Sequence, residues 1–221
     1  MNAAVASPLS LRHPLAGPFL AFCLLPSLTL HPTQAQALVP GTVLEQAASL
    51  PTLHRHWSAD LARSCALEPV ADLVDPALPL AMLPAARFEM FARYAGALLA
   101  GQSIRRCIAR ADVEAVQAEL GDAVLNFTRH RAAAIHPGLG DLAWRTEAIA
   151  ADTTALGHVM LAQAFTTAAP AIRQRGLLRL PIAAPEHARD LSLSPAESLR
   201  ISLALLQEIE PEWLSLFPAP R

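Results

Sequence analysis

Between Arg87 and Ile135 the apolar residues recur at helical rather than alternating intervals, and this constrains the chain more than any other feature of its sequence. Phe88, Phe91, Ala95, Leu98 and Leu99 lie three or four positions apart, so a helix carrying them has one stripe to bury. Gly101 interrupts the pattern and is the predicted stop, because glycine adopts the left-handed closing conformation without steric cost and weakens a helix interior by roughly 1 kcal/mol. A short second helix then carries Ile104, Arg105, Arg106, Cys107 and Ile108. Asp112 is placed to cap a third, in which Val113, Val116, Leu120, Val124 and Phe127 fall along one side.

Composition supports the same fold class. A chain of 221 residues is long enough to bury a substantial core and needs no second domain. With 53% hydrophobic and only 16% charged residues it is not globally disordered, and with 5% aromatics its packing material is mainly alanine and leucine. The 19 prolines gather in Pro14–Pro40, Pro69–Pro84, Pro181–Pro185 and Pro211–Pro220, where loops and helix ends are predicted. The expectation is therefore an all-α fold: a single compact multi-helix domain with proline-rich connectors and at most one short extended segment near residues 177–182.

Elsewhere the pattern is read from caps and spacing. Two helices are predicted between Thr42 and Leu67, the first through Leu44, Ala47 and Ala48, the second opening at Pro51 with Leu53, Trp57, Leu61 and Cys65 inward. Glu68–Pro84, with Asp72 and Asp75 among its prolines, reads as a connector hugging the surface. After the turn His136-Pro137-Gly138-Leu139-Gly140, Asp141 can cap a helix lined by Leu142, Ile149, Leu156, Val159, Met160 and Phe165. Ala171–Gly176 adds one more turn, and Leu177–Ile182 is read as extended. Ser194-Pro195-Ala196-Glu197 is a capped helix start, after which Leu199, Leu203, Leu206 and Ile209 are expected to face inward. Trp213, Leu216 and Phe217 make an apolar end, a docking edge if exposed and a last core contact if buried.

Chemistry is sparse. The eight histidines form no His-Glu-x-x-His or comparable metal pattern, and His54 and His56 diverge on a helix. There is no Gly-x-Ser-x-Gly elbow, phosphate-cradling glycine loop or dinucleotide fingerprint. The three cysteines, Cys23, Cys65 and Cys107, are too widely spaced for paired zinc ligands and too few for a disulfide framework, and read as reduced, buried thiols. Cys107 beside Arg105 and Arg106 could have a lowered pKa, or lie inert between Ile104 and Ile108. Asn126-Phe127-Thr128 is a formal glycosylation triplet on the inner side of the predicted helix. All 17 basic residues are arginine and the net charge is −2, which gives no field that would draw nucleic acid. No catalytic, cofactor-binding or metal residue is assigned; a ligand-binding or enzymatic reading would need a pocket built from groups such as His54, His158 and Glu147. Arg105 and Arg106 point about 100° apart on a helix, so one can clamp an internal loop after Glu68 while the other meets solvent or a partner. Arg129, His130 and Arg131 complement a helix C-terminus.

The N-terminus supports two readings. No charged residue apart from histidine stands between Arg12 and Glu45, Leu15–Leu30 is apolar, and Ala35-Gln36-Ala37 follows, as in an exported protein with a cleaved signal. Against this, Pro18, Pro26 and Pro32 interrupt the run, Met1–Leu11 has no positive charge, and the run falls short of the ~20 apolar residues of a spanning helix.

Gly101-Gln102-Ser103-Ile104-Arg105-Arg106-Cys107-Ile108, between a leucine-rich helix and a long amphipathic one, resembles the central segment of the SctK family, an accessory cytosolic component of the bacterial type III secretion apparatus. Leu177-Leu178-Arg179-Leu180-Pro181-Ile182-Ala183 is similar to that family's late segment, and Phe22-Cys23, Pro26, Leu30 and His31 to its opening. The resemblance implies a helical domain over residues 19–221 behind a loosely held leader at 1–18, with the apolar opening retained. It implies a cytoplasmic protein, peripheral to the inner membrane through the apparatus, and not an enzyme. Its role would be an adaptor of the sorting platform, joining the cytoplasmic domain of the ring protein SctD to the pod protein SctQ, and indirectly reaching the SctL/SctN stator and ATPase. Cofactors, nucleic acid and direct membrane insertion have no place in that role. The expected contact residues are Ile104, Arg105, Arg106 and Arg110, with Trp213, Leu216 and Phe217. The alternative is an exported helical envelope protein cleaved near Ala37.

Overall fold

A computed structural model describes residues 12–38, 51–71, 73–140 and 148–218, and among them it contains helices and turns but no strand. In chain order these are α1 (Ala16–Leu24), a 3₁₀ turn (Pro26–Thr29), α2 (Pro32–Leu38), α3 (Pro51–Ser64), α4 (Leu78–Ala81), α5 (Ala85–Leu99), α6 (Gly101–Arg106), α7 (Arg110–Leu120), α8 (Asp122–His130), α9 (Ala132–Ile135), α10 (Ile149–Phe165), α11 (Pro170–Leu178), α12 (Ala184–His187), α13 (Pro195–Ile209) and α14 (Pro211–Ser215). The all-α class is as the apolar spacing predicts. The predicted helix through Leu44, Ala47 and Ala48 lies outside the described residues, as do Asp141, Leu142 and Glu147.

Two compact units share the chain: the described residues of Met1–Met82, Ala168–Ile182 and Glu210–Arg221 form one, and those of Leu83–Thr167 and Ala183–Ile209 the other. The second unit is built on α5 against α10. Phe88, Phe91, Ala95, Leu98 and Leu99 are buried, as their spacing predicts. The two helices meet at glycines: a Cβ on Gly96 would stand 1.6 Å from the Thr153 carbonyl oxygen, and one on Gly157 1.8 Å from that of Ala92. Only a missing side chain permits such an approach. On the other side of α10, Gln163 donates to the carbonyls of Leu193 (2.6 Å) and Ala188 (3.2 Å) and accepts from the Ser198 hydroxyl of α13. This buried amide is fully used, so α13 turns Ser198, Ile201, Ser202, Leu205 and Leu206 inward. Leu199, Leu203 and Ile209, expected there, are half-buried. The Ser194 hydroxyl does accept the Glu197 amide, as its capping pattern predicts.

Three local expectations are corrected in this unit. Ala100, not Gly101, closes α5; Gly101 opens α6, where a Cβ would meet Nη1 of Arg105 at 2.9 Å. The single long helix expected from an Asp112 cap begins instead at Arg110 with no side-chain cap, and it is broken in two by Gly121, whose φ of 82° and ψ of 156° suit glycine almost alone. Val116, Leu120, Val124 and Phe127 are nonetheless buried, because the break preserves their common side. Asn126 is exposed, so the glycosylation triplet does not begin on the inner face.

The first unit corrects two more. Glu68–Pro84 is not a surface connector throughout: Leu78, Leu80, Ala81 and Met82 are buried. Asp75 is buried with them, its carboxylate accepting the amides of Ala77 (2.8 Å) and Ala169 (2.7 Å) ahead of α4 and α11. Leu177–Ile182 is not extended either, since α11 continues through Leu178 and turns follow. Within this unit Arg175 joins three stretches of chain. It is 6% exposed and donates to the carbonyls of Glu68 (2.6 Å), Ala171 (3.0 Å) and Cys23 (3.4 Å), with its guanidinium 5.9 Å from the Phe22 ring centre. The Cys23 carbonyl lies in the last turn of α1, where a cation complements the helix dipole. Of the expected leader at 1–18, residues 1–11 lie outside the described residues, whereas Leu15 and Ala16 are buried.

Candidate functional site

The residues from Ile104 to Arg110 divide sharply by exposure. Ile104 is fully buried in a cluster with Ala97, Val116, Leu120, Val124 and Ile149, so it serves the core and is corrected as a contact residue. Arg105 is a clamp, though not on the loop after Glu68: its guanidinium donates to the Pro137 carbonyl at 2.7 Å and to that of Thr128 at 3.4 Å. It thereby fixes the His136–Gly140 turn, in which Gly138 takes a φ of 97° and Leu139 donates to the Leu99 carbonyl at 2.7 Å. Arg106 and Arg110 are exposed, the latter 2.6 Å from Glu114 on the helix surface, a pairing of little net strength in water.

Between these arginines the chain leaves the helix. Cys107–Ala109 link α6 to α7, and Ile108 is 89% exposed there. The expectation that Ile108 buries the Cys107 thiol fails for that reason, since α6 ends at Arg106 and the helical spacing no longer applies. Cys107 is half-buried, its thiol 3.6 Å from the Ser103 carbonyl. Burial chiefly, with Asp112 adding and Arg129 opposing, raises its pKa, so the neighbouring arginines do not activate it. The only sign of Ile108 in the sequence is its place one residue past an Arg-Arg-Cys helix end, and that is too weak to find it.

At the C-terminal end Trp213 is corrected to a core contact. It is 7% exposed, its indole donates to the Pro79 carbonyl at 2.9 Å, and Phe217 packs edge-on against it at 5.3 Å. Leu216 and Phe217 are half-buried. Arg131, at the end of α8, pairs with Glu208 at 2.8 Å and lies over the Phe127 ring.

A different feature dominates the first unit. A groove of about 630 Å³ runs between α1 and α3, walled by Gly17, Leu20, Leu24, Pro26, Ala59 and Ala62. α1 is apolar on every side yet buries only Ala16 and Phe22. Leu20 is 46% and Leu24 65% exposed, so the outward half of the helix is uncovered. Ser58 is the one hydroxyl in the lining and is already engaged behind it: the Ser27 hydroxyl lies 2.7 Å from that of Ser58 and 2.9 Å from Nδ1 of His54, and also donates to the His54 carbonyl at 3.1 Å. Both serines are buried, and the Ser27 amide donates to the Ser58 hydroxyl at 3.2 Å. These groups saturate one another, which suits a joint between the 3₁₀ turn and α3 better than a nucleophile. Cys23 also lines the groove, and burial, partly offset by Arg175, raises its pKa.

Among the described residues no cluster of histidine, cysteine and acidic side chains is placed to hold a metal. Of the groups named for a hypothetical ligand pocket, His54 belongs to the first unit, and His158 is buried in the second, 3.2 Å from Glu89. None of the described helices is long and apolar enough to cross a membrane. No family model, curated protein or solved structure matches the chain.

Proposed function

We propose that the chain is a non-enzymatic adaptor of the SctK type, joining an SctD-type cytoplasmic domain to an SctQ-type pod protein in a type III secretion sorting platform. On this reading it works in the cytoplasm, held at the inner membrane only through the apparatus. The names of the partners rest on the resemblance of Gly101–Ile108 and Leu177–Ala183. The observation that carries a contact role is Ile108, 89% exposed on the link between α6 and α7, with the exposed Arg106 and Arg110 on either side. An aliphatic anchor beside arginines is a composition that protein interfaces favour, since burying the one and pairing the other on a partner both lower the free energy. Arg105 and Ile104 support this surface from within.

Capture of purified SctQ-type protein tests the proposal. Ile108→Asp combined with Arg110→Glu is expected to lower capture at least tenfold with an unchanged melting midpoint, and undiminished capture would refute the contact. Arg105→Glu is expected to lower the midpoint first, because it releases the Pro137 turn. The reading also keeps residues 16–38 in the working protein. In its support, Phe22 and Cys23 are engaged by Arg175 and Ser27 by Ser58, contacts that cleavage near Ala37 would remove. Intact mass of the protein from its native host distinguishes the two, and a polypeptide beginning near Leu38 would reject the cytoplasmic reading.

A further inference from the structure

The groove between α1 and α3 offers a ligand an unusual combination. Its walls are mainly aliphatic, and Ser58, the one hydroxyl in the lining, is spent on Ser27 and has little left to offer an occupant. The one charged side chain in its lining is Arg55, which is exposed and makes no hydrogen bond or ion pair among the described residues. Arg63, two turns further along the same helix, has Asp60 as partner. Apolar surface extends past the groove as well, since Leu28 on the adjoining 3₁₀ turn is 47% exposed.

We infer that this groove is a docking site for an amphipathic helix of another protein, one that lays an apolar ridge between α1 and α3 and sets an aspartate or glutamate against Arg55. An apolar groove walled by two helices can take a third in the manner of helix-in-groove recognition, with anchors at intervals of three and four residues. Leu20 and Leu24, one turn apart, provide the facing ridge. Arg55 sets the sign of the partner's charge, since a lysine or arginine in its place would bring like charges together on a surface partly removed from water. The inference does not depend on the SctD and SctQ assignments.

A randomised helix library displayed against the full chain, counter-selected on Leu24→Glu, tests it. Leu24 is 65% exposed, so this variant keeps the fold, as an unchanged melting midpoint would record. Selected helices are expected to share an apolar stripe and a flanking acid, and to bind Arg55→Glu at least tenfold more weakly, with partial recovery when their acid becomes lysine. Failure to enrich any helix over the Leu24→Glu control, or enrichment of helices indifferent to Arg55→Glu, would overturn the proposal. So would sedimentation showing a dimer that Leu24→Glu abolishes, which makes a second copy the occupant. Flotation with phosphatidylglycerol vesicles that Leu24→Glu abolishes, without helix binding, would assign the face to lipid instead.

Discussion

Arg175 shows how much one side chain can decide. Burial lowers its pKa from the ordinary arginine value, with Cys23 opposing, yet guanidinium stays protonated in proteins, so the charge must be met by the carbonyls of Glu68, Ala171 and Cys23. Methionine there would keep much of the volume and remove the donor from the Glu68 and Cys23 carbonyls, at a cost of about 1–3 kcal/mol. Arg175→Met is expected to lower the denaturation midpoint accordingly, while Arg175→Lys recovers only part of the loss, since one ammonium cannot span the same three acceptors. His136 makes a second residue-level prediction. Burial chiefly holds its pKa below the usual 6.5, with Glu197 raising it and Arg200 lowering it, and its Nδ1 accepts the Gly138 amide at 3.1 Å, which only the neutral ring can do. As pH falls through about 6.5 the unfolded chain takes up a proton before the folded one, so stability declines below that pH. Thermal midpoints at pH 7.5 and 5.5 should differ in that sense, and His136→Gln should narrow the difference.

Among the elements, the break between α7 and α8 makes the most direct prediction. Alanine at Gly121 would have to adopt a conformation that costs on the order of 1–3 kcal/mol, and Gly121→Ala is expected to destabilise the protein by that amount in denaturant unfolding. A smaller loss, or none, would mean that α7 and α8 can join into the one helix that the apolar spacing predicts. That spacing explains why the break is hard to see in the sequence: Leu120 and Val124 are four apart across Gly121, so the period continues while the backbone does not. Periodicity made α5 legible, because that helix buries the stripe its apolar residues form. On α10 Ile149, Met160 and Phe165 are buried as expected but Leu156 and Val159 only in part, and on α13 Leu206 alone of the residues expected inward is buried. The sequence pattern misled over Leu78–Met82, where a short helix and the residue after it are buried although the surrounding prolines suggested a surface connector. The crossing of α5 and α10 was invisible for another reason, since Gly96 and Gly157 act through the side chain they lack. At the candidate site, Arg105 was legible as a clamp but its acceptor was not, and Ile108 could be found only once the end of α6 was known.

Over the whole molecule, the first unit gathers residues from near both ends of the sequence, with α11 and α14 joining α1 to α4, so its core depends on contacts of long sequence separation. Such contacts form late because loop closure must precede them, and the second unit, drawn from two segments of chain where the first is drawn from three, is expected to become protected first in pulsed hydrogen exchange. Function is proposed to reside in surfaces of these units, the Ile108 link in one and the α1–α3 groove in the other. The measurement that tests the adaptor claim most directly is the mass, by light scattering, of a mixture of the chain with purified SctD-type cytoplasmic domain and SctQ-type protein. A single species containing all three, which disappears when the chain is omitted, is the expected result. Failure of the chain to enter any complex, or association of the other two equally well without it, would contradict the account.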